Sequence, residues 1–86
     1  MDKLIKRSYD SIVSRGLITD DTTLKDFNNK LIEEFNEAQF EYDTQDLDKY
    51  FHELFDVVGV IFNMCYHNEI DIRSKFEEII IKNENR

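Results

Sequence analysis

The stretch "HELFDVVGVIFNMC", residues 52–65, decides how the chain folds. From Leu54 to Cys65 its side chains are apolar almost without a break. They cover far more than one stripe of a helix, so the pattern predicts a central helix packed on several sides. Two acids, Glu53 and Asp56, stand at the front of that run, three residues apart and therefore on one helical face. Burying an unpaired carboxylate costs several kcal/mol or drives its pKa upward. These two acids therefore need either water or a partner.

Working outward, the sequence reads as four helices in a single domain over residues 1–86. The first is expected from about Lys3 to Ser14, with Leu4, Ile5, Tyr9, Ile12 and Val13 on one stripe and Gly16 as its stop. "TDDTT" supplies N-cap residues for a second helix, from Thr22 or Thr23 to about Tyr42. Leu24, Phe27, Leu31, Phe35, Ala38 and Tyr42 form its apolar stripe. "DTQD" breaks the pattern before the third helix, expected over Leu47–His67. "HNEID" then reads as a turn that includes His67, and Asp71 caps a fourth helix running from Ile72 to the end. The expected fold is all-α: a small bundle of about four helices, completed by oligomerisation.

Composition narrows the function classes. Proline is absent and there are only two glycines, Gly16 and Gly59, which leaves little turn chemistry for a sheet. No apolar run is long enough to span a bilayer, and "MDKLIKRSYD" lacks the apolar core of a signal peptide, so a cytoplasmic protein off the membrane is expected. The lone Cys65 excludes an internal disulfide and suits a reducing compartment. A net charge of −8 disfavours binding of a nucleic-acid polymer through its phosphates.

Against 19 acidic residues, chance pairs at helical spacing are expected, and most are solvated surface. Two pairs sit beside apolar stripes: Glu34 and Glu37 in "EEFNE", and Glu53 and Asp56 in "ELFD". Fifteen residues separate Glu37 from Glu53, enough for a helix end and a turn, so the two helices can run antiparallel with the pairs facing each other. Few basic residues are available, and none falls inside the third helix after Lys49. A divalent cation is then the economical partner, and an all-oxygen set suits Mg²⁺ or Mn²⁺. The plain alternative is a polar edge of Glu53, Asp56, Asn63 and His67 facing water. A di-iron carboxylate bundle needs Glu-x-x-His on two helices, and neither His52 nor His67 follows an acid at that spacing.

"KLIEEFNEA" followed by "ELFDVVGVIFNMC" resembles the MazG-like, all-α nucleotide pyrophosphohydrolases, whose signature is E-E-x-x-E, a spacer, then E-x-x-D. The resemblance runs from about Lys30 to Arg86. It implies that Glu34, Glu37, Glu53 and Asp56 hold Mg²⁺, and that a nucleoside triphosphate is cleaved to monophosphate and pyrophosphate. It also implies a homodimer or homotetramer. Glu34 or Glu37 would orient or deprotonate the attacking water. Lys82 and Arg86 would hold phosphates, with Asn83 at the base or sugar. A basic helix end favoured by the helix dipole is the plainer account of the two cations. Lys30 is a further phosphate contact or, more plainly, a salt-bridge partner of Glu34. Phe27, Phe40, Tyr42, Tyr50 and Phe51 offer a base-stacking wall if they are not simply packing residues. The competing function is a non-catalytic helical module that dimerises through its third helix and binds a basic partner through its acidic surface.

Overall fold

Capping chemistry sets the helix boundaries. The computed structural model describes residues 2–86, and these form four α-helices: α1 (Asp2–Ser14), α2 (Leu24–Thr44), α3 (Leu47–His67) and α4 (Ile72–Glu84). Among the described residues there is no strand, and no helix is long and apolar enough to cross a membrane. Gly16, at φ 73°, turns the chain out of α1 in a left-handed conformation. A reciprocal capping box starts α2: Thr23 N–H donates to Asp26 Oδ2 at 2.9 Å, and Asp26 N–H donates to Thr23 Oγ1 at 3.2 Å. Asp46 and Asp71 cap α3 and α4, accepting from the N–H groups of Lys49 and Ser74 at 3.1 Å each.

Hydrogen bonds from the Thr23 backbone and hydroxyl hold the Asp26 carboxyl below its ordinary value. Those from Ser74, backbone first, do the same for Asp71. A depressed pKa means that the cap stabilises as the anion. Its contribution is present above about pH 4 and is lost as acid protonates the carboxylate.

The α2–α3 turn is two residues long, Gln45 and Asp46. Gln45 closes α2 at φ 62°, and its N–H donates to the Tyr42 carbonyl at 3.1 Å. That left-handed conformation costs a residue with a Cβ roughly 1–2 kcal/mol. Gln45→Gly is therefore expected to stabilise the fold by about 1 kcal/mol and to raise Tm by roughly 4–8 °C in a domain of this size. A melting curve that is unchanged or lowered would show that the glutamine side chain offsets its own backbone strain.

So short a turn forces α2 and α3 to run antiparallel. The Tyr42 and Tyr50 rings lie 5.4 Å apart near the turn, and Phe27 and His67 lie 5.2 Å apart at the far end. Ala38 is fully buried, and its small side chain lets the helices approach closely. The N-terminal helix packs on α3, with the Tyr9 ring 4.7 Å from Tyr66. His67 is the last residue of α3 rather than part of the turn. Its Nε2 donates to the Thr22 carbonyl at 3.2 Å, and its Nδ1 shares a 2.7 Å hydrogen bond with the Tyr9 hydroxyl. One imidazole thus ties α1, the α1–α2 loop and α3 together.

The buried core is small: Ile5, Ile18, Phe27 and Ala38, with Asn63 as the buried polar residue. Within one chain α3 is central but not enclosed. Most of its apolar residues are half-buried, and Phe55 is 70% exposed. The cause is α4, which barely touches the other helices and buries none of its residues. Phe76, Ile79, Ile80 and Ile81 all stand in solvent. A compact folded chain of this mass, 10.4 kDa, exposes about 5,400 Å². This one exposes 7061 Å². Its radius of gyration is 14.6 Å, against about 12 Å for a compact domain of equal length.

Candidate functional site

The antiparallel hairpin sets the register that brings the acidic pairs together. Glu34 of α2 meets Glu53 and Asp56 of α3, one carboxylate oxygen from each lying within 4.8 Å of the others. A second such group joins Glu33, Glu34 and Glu37 along α2, so Glu34 belongs to both. The Glu34 side chain is 12% exposed. Asp56, Glu33 and Glu37 face solvent. Glu53 is half-buried, and its Oε2 is wholly buried with no hydrogen-bond partner among the described residues. The cluster is sunk at Glu34 and Glu53 and open at Asp56 and Glu37, unlike a simple water-facing edge.

The electrostatics follow from this crowding. The charge of Glu34 pushes the Glu37 carboxyl above its ordinary value, with loss of solvent, a hydrogen bond between the two carboxyls, and the charges of Glu53 and Glu33 adding to it. Lys30 reaches Glu34 at 3.0 Å and Glu33 at 3.4 Å. Its ammonium is held above the ordinary lysine value, chiefly by the bond to Glu34. One cation beside five carboxylates leaves a strongly negative site. Donors that are all oxygen, one of them buried without a partner, fit a hard divalent cation such as Mg²⁺ or Mn²⁺.

A cavity of about 750 Å³ opens beside the cluster, between α1, α2 and α3. Glu34 and Asp56 line it at the acidic end, with Lys30 and Arg15 as its cations. Gly59 also lines it, and a Cβ built on that glycine would meet nothing within 4 Å. Open space, not close helix packing, therefore surrounds Gly59. A smaller cavity of about 450 Å³ lies at the α2–α3 turn, where Tyr42 and Tyr50 take part in the wall.

The sequence-predicted residues separate into two sets. Glu34, Glu37, Glu53, Asp56 and Lys30 come together near the middle of the α2–α3 pair. Lys82 and Asn83 lie on α4 and Arg86 just beyond it, and none of the three lines the larger cavity. Of the proposed stacking residues only Phe27 lines it. Sequence reasoning assigned no site role to Glu33, Arg15 or Phe55, and read Asn63 only as part of a water-facing edge. Glu33 was legible as the i,i+4 neighbour of Glu37. Nothing local marks Arg15, which joins the site only because α1 packs across α3. No protein-family model, curated protein or solved structure matches the chain.

Proposed function

We propose that this chain is a Mg²⁺-dependent nucleoside triphosphate pyrophosphohydrolase of the MazG-like, all-α kind. The observation that carries this reading is the four-carboxylate cluster of Glu34, Glu37, Glu53 and Asp56 across two antiparallel helices, with the buried Glu53 Oε2 left without a partner. Glu34, Glu53 and Asp56 would hold the cation, with Mn²⁺ as a substitute. When bound, it supplies charge neutralisation at the phosphate oxygens of a substrate that the cluster alone repels.

Glu37 is better suited than Glu34 to accept a proton. Its pKa is raised, it is exposed, and it makes no ion pair among the described residues, whereas Glu34 is engaged by Lys30 and shared between both acidic groups. Glu37 would orient a water for in-line attack on the α-phosphorus. The water oxygen bonds to phosphorus, the bond from the α-phosphorus to the bridging oxygen breaks, pyrophosphate leaves, and the proton passes to the Glu37 carboxylate. Lys30 and Arg15 stand close enough to the cavity to meet phosphate oxygens in the same chain. Lys82, Asn83 and Arg86 do not line the cavity, and in this reading they would act on a neighbouring chain's substrate.

The working unit in this reading is a homodimer or homotetramer. It is supported by the surface in excess of a compact monomer, about 1,700 Å², and by the bare apolar stripe of α4. A free, half-buried Cys65 suits a cytoplasmic setting. Self-association serves a non-catalytic module equally well, so the acidic cluster is what separates the two functions. The deciding experiment follows products by phosphorus NMR over the common nucleoside triphosphates with Mg²⁺ or Mn²⁺. Pyrophosphate and a monophosphate are expected. Orthophosphate with a diphosphate left behind would place the cut at the wrong bond, and no turnover of any triphosphate would leave the interaction module standing.

A further inference from the structure

Asn63 is a buried amide with a free end. It is 8% exposed, and it lines the 750 Å³ cavity. Its Oδ1 lies 3.3 Å from Ser8 Oγ of α1, and its Nδ2 makes no hydrogen bond among the described residues. A hydroxyl both donates and accepts, so whichever way the amide is turned, Ser8 holds one end and leaves the other unpaired. That end is not sealed in the protein interior: it stands at the cavity wall, where a ligand can pair with it.

Asn63 also sits at an informative distance from the acidic cluster. It follows Asp56 by seven residues, two turns along the same face of α3, or about 10 Å. That is comparable to the span from the α-phosphate of a nucleotide to the polar edge of its base. Gly59 lies between them with no side chain to obstruct the face. Phe27 and Phe55 supply aromatic walls, and the volume is within the range of small-molecule sites.

We propose that the cavity between α1, α2 and α3 is a nucleoside site in which Asn63, positioned by Ser8, reads the polar edge of the base. This rests on the triphosphate reading of the acidic cluster, whose cation and water chemistry it leaves unchanged. Asn63 is a specificity residue: it touches the base and not the reacting phosphorus.

The test compares kcat/KM for ATP, CTP, GTP and UTP with Mg²⁺ in the parent, Asn63→Leu and Gly59→Leu. Asn63→Leu keeps the branched shape and the number of heavy atoms of the side chain and removes its polar end. Gly59→Leu fills the cavity from a helical position where added side chain favours the helix, so it serves where Asn63→Leu fails to fold. The parent is expected to prefer one base at least tenfold, because an amide that hydrogen-bonds one polar edge discriminates against an edge that cannot pair with it. Asn63→Leu should flatten that preference tenfold or more through KM, with kcat on the poorer bases retained. Gly59→Leu should raise KM for all four at least tenfold. In parallel, adenosine, cytidine, guanosine and uridine are titrated into the metal-free protein while the Asn63 side-chain amide is followed by NMR. A shifted amide with no triphosphate hydrolysed sinks the hydrolase reading and keeps the nucleoside site. Hydrolysis with an unchanged base ratio in Asn63→Leu and an unchanged KM in Gly59→Leu, or no base preference in the parent, sinks the site and keeps the hydrolase. An amide that no nucleoside moves, in a protein that hydrolyses nothing, sinks both.

Discussion

Glu53→Gln is expected to leave the metal-free protein at least as stable as the parent, and to abolish both its response to Mg²⁺ and its activity. The parent carries Glu53 Oε2 buried without a partner, within reach of the Glu34 and Asp56 carboxylates. An amide at this position removes one of the clustered charges and adds a donor that Glu34 or Asp56 can accept. The relief is of order 1–3 kcal/mol, which in a domain of this size is several degrees in Tm. The same change removes an oxygen ligand, so the stabilisation that follows from cation binding shrinks or disappears. Turnover should fall a hundredfold or more, because charge neutralisation at the phosphates is the largest contribution such a site makes. Asp56→Asn, at the exposed end of the cluster, should lose activity alike with less change in metal-free stability. Melting curves with and without Mg²⁺ decide the matter. Parent and variant responding alike to metal would mean that these acids are only a polar edge.

If the proposed homo-oligomer forms through α4, Phe76→Glu combined with Ile80→Glu is expected to dissociate it and to unfold much of the chain. The two residues lie four apart on α4, on one face, and are 63% and 44% exposed in the single chain. In a two-fold dimer each would be buried twice. Four large apolar side chains at about 1.5–3 kcal/mol each come to roughly 6 kcal/mol or more, over four decades in dissociation constant. With a core of so few buried residues, the separated chains have little to hold α1 and α4 in place. Light scattering and far-ultraviolet circular dichroism read both effects together. A parent protein that is monomeric and fully helical at micromolar concentration would defeat the expectation.

What the sequence made legible follows the range of the interactions involved. The third helix begins at Leu47, where the pattern placed it, because the Asp46 cap is local chemistry that a few residues specify. The fourth begins at Ile72 for the same reason, through Asp71. The second runs two residues past Tyr42, because Gln45 accepts a left-handed conformation that composition does not announce. The meeting of Glu34 with Glu53 and Asp56 was readable because helical period and a short turn together fix a register. Asn63 read as part of a water-facing edge and is instead buried, since α1 lies over it through Ser8, 55 residues away in the chain. His67 was assigned to the turn for a like reason: its partners, Tyr9 and Thr22, are far off in sequence. The enclosure expected around α3 is missing from the single chain, because apolar content says that a helix must be covered but not by which chain.

The two-residue turn between α2 and α3 has a consequence for how this protein can change. All the clustered carboxylates lie on the hairpin that this turn fixes, whereas one wall of the cavity comes from Ser8, Ile12 and Arg15, in and just after α1. Substitutions on the two sides share few partners, so their free-energy effects combine close to additively. The shape and polarity of the cavity can therefore drift through α1 alone, residue by residue, while the spacing of the acidic groups stays where a turn too short to slip has put it.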